Sequence, residues 1–317
     1  MQVDAVLRSF FLHCQDTSET VYVNVLYKAT SLRHASQYEQ LTRDYPNVNF
    51  VRETNFRTDL IGMLNPYAAN SNAYRLVSIL GTPAFFRTGR RRRQFVDMLR
   101  YKFIYALLPR VISPQGILFL VDDNLFVRDF AIQTALCTLE EHTDVLGFSL
   151  RLGRNTTYSY TVDKRQRLPF FSVPARNLLK FQWPETSYDF GYPLEVSSSV
   201  YLNTVIVPFL ASLHFRNPNE LESAMAINAG IFRKSHPSLV CFEQSVTFCN
   251  PVNLVQSFHP NRVAEQYKYS VNDLLERFEC GERIDIQAYS GFVPNACHQE
   301  VPLHISKSNN KIIQLPS

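Results

Sequence analysis

Gly116-Ile-Leu-Phe-Leu-Val-Asp122-Asp123-Asn124 is the stretch on which the reading of this chain turns. Five consecutive apolar residues, bounded by a glycine and by acids, predict a short strand buried on both faces. At its C-terminal end the chain runs into carboxylates. In an open α/β sheet, ligands bind outside that end of the strands. Adjacent acids repel each other unless a cation or hydrogen-bond donors hold them, and a hard divalent cation that also grips a diphosphate suits such a pair. A local alternative stands beside this one: Asp or Asn after a strand commonly caps the next helix.

Outward from that run, the first half of the chain alternates strand and helix signals. Leu7 to Cys14 reads as a first strand, Val21 to Tyr27 as a second and Val48 to Val51 as a third. Ser31 caps a helix carrying Leu32, Ala35, Tyr38, Leu41 and Tyr45. Phe95 to Leu108 reads as a long helix stopped by Pro109, and Ile132, Ala135, Leu136 and Leu139 form one stripe of another. Val145 to Leu152 is a further strand. This order predicts an α/β fold built on a Rossmann-type sheet of mostly parallel strands flanked by helices.

The second half differs. Arg154 to Tyr192 is loop-rich, with Pro169, Pro174 and Pro184. Leu194 to Tyr201 reads as a strand or hairpin arm, Thr204 to Phe215 as a helix and Val240 to Cys249 as a strand. Asn217-Pro218-Asn219-Glu220 has capping-box form. Ser270 and Asp273 start a helix that Gly281 closes. Lys307 to Ser317 reads as a loose polar tail.

Composition narrows the function. The apolar fraction of 45% fills a substantial core, and no stretch approaches the roughly 20 apolar residues of a membrane span. The N-terminus lacks the regions of a signal peptide. Six cysteines, none in a Cys-x-x-Cys pair, read as reduced thiols of a cytosolic protein, which leaves the Asn155-Thr-Thr sequon idle. A net charge of +4 does not suggest a nucleic-acid binder. The basic residues concentrate in Arg87-Thr-Gly-Arg90-Arg91-Arg92-Arg93, which suits substrate phosphates, a membrane surface or simply a solvated helix start. With 10 glycines in 317 residues and neither Gly-rich phosphate motif, dinucleotide and P-loop sites are disfavoured.

The βα order, the strand-terminal acids of Phe119-Leu-Val-Asp122-Asp123-Asn124 and the loop-rich second half together resemble the GT-A class of nucleotide-sugar glycosyltransferases, in its family-2-like bacterial form. That resemblance implies a GT-A-like fold with residues 1–153 binding the nucleotide sugar, residues 154–305 binding the acceptor within the same domain, and 306–317 a flexible tail. It implies transfer of a sugar from a UDP- or GDP-linked donor to a hydroxyl acceptor, a glycan or a lipid-linked molecule, assisted by Mn²⁺ or Mg²⁺. Asp122 would contact the ribose or the metal shell. Asp123 and Asn124 would face the metal, although Asn124 stands where an acid is usual and ligates more weakly. His298, in Asn295-Ala-Cys-His298-Gln299-Glu300, resembles the late histidine that such enzymes add as a ligand, with Glu300 orienting it or facing water.

An inverting enzyme of this class needs a carboxylate to take the acceptor proton. Glu220 already serves the capping box, whereas Glu222 lies about 200° round the helix and is the preferred base, with Asp189 as runner-up. Trp183, among Phe181, Tyr188 and Phe190, is an acceptor platform or a loop tucked on the core. Tyr27, Lys28 and Thr30 end the second strand at the ligand edge, where a tyrosine stacks on a base and a lysine reaches a phosphate. The expected location is cytoplasmic, peripheral at the inner membrane face through Arg90 to Arg93. Two other enzyme-like readings remain: a non-catalytic nucleotide-sugar-binding protein of the same fold, and a sugar nucleotidyltransferase, against which the glycine-free His13-Cys-Gln-Asp16 argues. A structural interaction module working through the arginine run is a third.

Overall fold

The computed structural model describes residues 1–17, 21–64, 99, 116–252, 265–267 and 269–307. The run Arg87 to Arg93 and, apart from Leu99, the expected helix from Phe95 to Leu108 lie outside them, as do residues 308–317. Helices are α1 (Gln2–His13), α2 (Leu32–Asp44), α3 (Phe56–Leu64), α4 (Ile132–Glu141), α5 (Asn203–Ser212), α6 (Pro218–Asn228) and α7 (Val271–Glu279). Strands are β1 (Val23–Tyr27), β2 (Val48–Arg52), β3 (Gly116–Leu118), β4 (Asn124–Phe126), β5 (Val145–Ser149), β6 (Tyr158–Ser159), β7 (Lys164–Arg165), β8 (Leu178–Gln182), β9 (Ser199–Leu202), β10 (Ser238–Phe242), β11 (Thr247–Cys249), β12 (Glu282–Ile284) and β13 (Ile305–Lys307).

The sequence marks several of these boundaries chemically. Ser31 accepts the His34 N–H to start α2, Ser270 and Asp273 form a full capping box on α7, and Gly281 takes φ +78° just beyond it. The first expected strand is instead α1. Ala5, Leu7 and Phe10 of that helix enter three different apolar clusters, so it is buried on several sides. A short apolar run of that kind carries no period that separates strand from buried helix.

The principal sheet has five strands in the order β3-β9-β5-β10-β8. Only β5 and β10 are parallel; β3–β9, β9–β5 and β10–β8 are antiparallel. The expected mostly parallel sheet is therefore a mixed one, with a separate parallel pair β1–β2 beside it. The outer faces follow the period-two pattern of strands. Leu146, Leu179, Phe181, Tyr201, Leu239 and Cys241 face a core covered by α5 and α6. Val145, Phe148, Leu178, Val200 and Val240 face a second core holding Phe10 of α1 and Ala135 and Leu139 of α4. Layers of helix, sheet and helix result. The strand buried throughout is β5 rather than β3. β3 is the three-residue edge strand, and the chain leaves it before reaching the acids.

Candidate functional site at the end of the edge strand

Between β3 and β4 the chain reverses through Val121–Asn124. The Val121 N–H donates to Asn124 Oδ1 (2.8 Å), and the Asn124 N–H donates back to Val121 O (3.3 Å). Asn124 Nδ2 donates to Ser197 O (2.9 Å) and to the Cys249 sulfur (3.4 Å), and the residue is wholly buried. This turn, closed by Asn124 reaching back to Val121, sets Asp122 and Asp123 at its tip. It leads into β4 rather than a helix, which removes the helix-cap alternative. The expected metal-facing oxygen of Asn124 instead points into the protein. An amide can be satisfied there, whereas a carboxylate would carry a buried charge.

Asp122 is exposed by surface area, yet desolvation by surrounding protein is the main influence raising its carboxyl. Asp123 is partly buried, and its Oδ1 has no hydrogen-bond partner. Burial, then the Asp122 charge, push its carboxyl up to about 7, against a hydrogen bond from the Cys249 thiol and the charge of Arg151.

Strand pairing carries this turn across to the late histidine. The Asn250 N–H donates to Asp123 O (2.8 Å), the Cys249 N–H to Cys297 O (2.9 Å) and the Gln299 N–H to Cys249 O (2.9 Å). Asp123 and His298 therefore flank the end of β11 from opposite sides, about 10 Å apart at two strand spacings. Burial, with Arg151 adding, lowers His298 to about 3, so its imidazole is neutral. Among the described residues, no three His, Cys, Asp or Glu side chains gather closely enough to hold a metal ion by themselves.

The electrostatic centre is Arg151, just past β5 and buried. Its Nη1 donates to Ser197 Oγ (2.7 Å), and its Nε lies 3.9 Å from Glu195 Oε1. Glu195 Oε2 accepts from Ser197 Oγ (2.7 Å) and from the Ser197 N–H. The Tyr201 hydroxyl fixes this loop, accepting the Glu195 N–H at 3.0 Å and facing the carbonyls of Pro193 and Glu195 at 3.2 Å each. The Tyr201 ring lies against Gly147, where a Cβ would come within 2.7 Å of it. Ser198 holds φ +139° as the loop enters β9, a strained conformation for a residue with a side chain.

Burial opposes the Arg151 charge, but the carboxylate of Glu195, with Asp189 adding, outweighs it and keeps the guanidinium charged. That charge reaches Asp123, Asp189, Glu222 and His298. Four residues singled out from the sequence thus feel the same buried charge. Besides Asp123 Oδ1, the buried atoms Ser149 Oγ, Glu195 Oε1 and Ser198 Oγ make no hydrogen bond, and neither do His34 Nε2 and the Arg128 Nε and Nη2 elsewhere among the described residues. Each such atom costs about 1–3 kcal/mol, and two of them, on Glu195 and Asp123, belong to acids on which Arg151 acts, so a ligand or water would complete them.

On α6, Asn217 caps the Glu220 N–H (2.9 Å) and Glu220 forks onto Arg216. Glu222 faces the other way, toward Val196 and Tyr192. Burial raises its carboxyl, Arg151 opposes that rise and Glu195 adds to it. Asp189 is also raised by burial, but it accepts from Ser159 Oγ (3.2 Å) and Gln166 Nε2 (3.1 Å), so both oxygens are engaged. Trp183 is not an exposed platform. It is buried in the core with its Nε1 donating to His236 O (2.8 Å), beside the equally buried Phe181 and Phe190.

Tyr27 ends β1 as expected and stacks on Tyr38 (3.9 Å between centroids). Tyr38 is held up near 12 by burial and by the Asp122 charge, which ties the end of β1 to the acidic turn. Lys28 is exposed and 3.7 Å from Glu53, and Thr30 bonds His34 (3.0 Å). Glu300 does not orient His298: its carboxylate accepts the N–H groups of Glu265, Gln266 and Tyr267. Asn155 bridges Ser245 and Pro294, an internal role for the idle sequon. Sequence reasoning passed over Arg151, Glu195 and Cys249. Leu150-Arg-Leu152 and Leu194-Glu-Val196 carried the signal, a lone charge inside an apolar run.

No family model matches the chain. Over 314 residues, 91% of the chain, it is 21% identical to the bifunctional glycosyltransferase pgtA of Dictyostelium discoideum. The chain spans 35% of that protein's length.

Proposed function

We propose that this chain is a glycosyltransferase that moves a sugar from a nucleoside-diphosphate donor to a hydroxyl acceptor at the Asp122–Asp123 turn. The observation that carries the reading is the unpartnered, buried Asp123 oxygen in the turn before β4, beside the buried Arg151 whose charge also acts on His298, Glu222 and Asp189. Similarity to a protein named as a glycosyltransferase supports it.

In this reading Asp123 would hold a divalent cation together with the donor diphosphate, while His298, two strand spacings away across β11, would not share that ion as the structure stands. The fit rests on Asp123, whose raised carboxyl and orphaned oxygen call for a positive partner. Asn124 takes no part. When bound, the cation supplies positive charge against the diphosphate as it departs. Asp122, whose charge acts on the Tyr38 ring stacked on Tyr27, would meet the nucleoside. Glu222 takes the proton as the acceptor oxygen attacks the anomeric carbon and the carbon–phosphate-oxygen bond breaks. A buried carboxylate with a raised pKa is a stronger base than an exposed one. Arg151 keeps Glu222 and Asp123 from both turning neutral.

The test is release of nucleoside diphosphate from a panel of UDP- and GDP-sugars with Mn²⁺. Turnover with one donor, lost in Glu222→Gln, is expected. Absence of both turnover and any nucleotide-dependent thermal shift across the panel overturns the reading.

A further inference from the structure

The loop joining β7 to β8 presents an apolar and cationic face that the site above does not use. Phe170 is 94% exposed and Val173 62% exposed, with Val162 and Leu168 also exposed. Interleaved with them stand Lys164, Arg165, Arg167 and Arg176, all exposed, and none is ion-paired among the described residues. Over residues 162–176 these four cations face a single acid, Asp163.

This exposure is built in, because the loop is fastened at several points. Gln166, buried between two exposed arginines, donates to Thr156 O (3.0 Å) and to Asp189 Oδ2 (3.1 Å). Ser172 and Lys180 exchange two backbone hydrogen bonds of 2.9 Å along the β8 edge. Phe171 turns inward onto Phe181 (5.8 Å) and Phe190 (6.0 Å), beneath the Arg154 guanidinium (5.1 Å). Neighbours on an extended chain point to opposite faces, so anchoring Phe171 inward holds Phe170 outward. Soluble surfaces seldom hold several large apolar side chains in one contiguous patch without a partner.

We propose that residues 162–176 dock this protein on an anionic phospholipid bilayer, Phe170 and Val173 entering the interface and the arginines meeting lipid phosphates. Charge complementarity selects this occupant: side chains that bury at the headgroup boundary, ringed by cations, match an anionic membrane surface. Arginine suits phosphate oxygens through its forked donors. Residues 162–176 are a different stretch of sequence from the Arg90 to Arg93 run. Docking does not depend on the glycosyl-transfer reading. One consequence does rest on that reading: Gln166 ties the loop to Asp189, so an acceptor carried in the lipid would meet the acceptor side.

The experiment is co-sedimentation of the full chain with vesicles of phosphatidylcholine alone or mixed with phosphatidylserine. Binding to the mixed vesicles is expected, weak on phosphatidylcholine alone. Arg165→Gln with Arg167→Gln should weaken it roughly twenty-fold, from about fivefold per cation near an anionic surface. Phe170→Ser with Val173→Ser should weaken it by about tenfold or more. Phe170→Trp should keep binding and have its fluorescence quenched by brominated lipid, while thermal melts report that each variant is folded. No binding to mixed vesicles, equal binding to both kinds, or binding that neither double variant changes overturns the proposal. So does self-association in sedimentation velocity that depends on Phe170 without any vesicle binding. None of these readouts requires turnover, so failure of docking and failure of the glycosyl-transfer reading are separate results.

Discussion

The Val121–Asn124 turn and the Trp183–Phe190 segment both carry residue types that bind sugars and nucleotides, yet the fold uses them in opposite ways. In the turn, Asn124 is satisfied on every side while Asp123, next to it, keeps a buried oxygen with no partner. In the segment the groups that could meet a sugar at Trp183 and Asp189 are closed off. The Trp183 indole N–H is bonded, Phe190 packs edge-on against Phe181 (5.2 Å), and both Asp189 oxygens are occupied. Completed polar groups mark architecture, and incomplete ones mark a place where structure was given up for something else.

Arg151 stands between the two regions and offers the largest perturbation. Arg151→Met leaves Glu195 buried without its cation, and should destabilise the fold by about 3–5 kcal/mol, read as a shift in the urea midpoint. Adding Glu195→Gln should recover part of that loss. If the single variant unfolds no more easily than wild type, Arg151 is not the centre of the site.

Trp183→Ala should cost about 3–5 kcal/mol in the same measurement, because a large core side chain leaves a cavity. Turnover per folded molecule should be unchanged. Asp123→Asn should do the reverse. A carboxyl raised to about 7 in the fold but ordinary in the unfolded chain loses stability as pH rises from about 4 to 7. The substitution should therefore stabilise the protein at pH 8, by on the order of 4 kcal/mol at most, and do nothing near pH 4. It should also abolish turnover and any Mn²⁺-dependent rise in Tm. A Trp183 variant that spares stability but loses turnover would reverse the contrast.

Glu222→Gln should lower turnover by about 10²–10⁴-fold with little change in Tm. Glu220→Gln, two residues away, should loosen the Arg216 fork and leave turnover alone. This pair shows what was legible in the sequence. Asn217-Pro-Asn-Glu220 identifies a helix start from local chemistry, and helical geometry then turns Glu222 to the other face. The acids after the apolar run were legible as the end of a strand, but the stop of β3 at Leu118 and the turn into β4 were not. Sheet direction was not, because β9 pairs with β3 and β5 across long stretches of sequence and no local signal encodes such pairing. Nor was the fate of Trp183, since aromatic residues look alike whether a core or a ligand covers them. α1 was misread because burial on several sides erased its helical stripe.

The smallest expected effect lies at His298, and it separates the two regions by pH alone. A histidine lowered to about 3 in the fold, ordinary near 6.5 when unfolded, resists the proton that the unfolded chain accepts. Stability is thus lost as pH falls below 6.5. His298→Gln removes that loss, so relative to wild type it should gain on the order of 1 kcal/mol at pH 5.5 and nothing at pH 8. The Asp123→Asn difference runs the other way, absent near pH 4 and full above 7. Trp183→Phe carries no titrating group, and its difference from wild type should stay flat across the range. Crossed slopes for the two polar variants and a level line for the aromatic one are expected. A level line for all three would mean that Asp123 and His298 are as settled in the fold as Trp183.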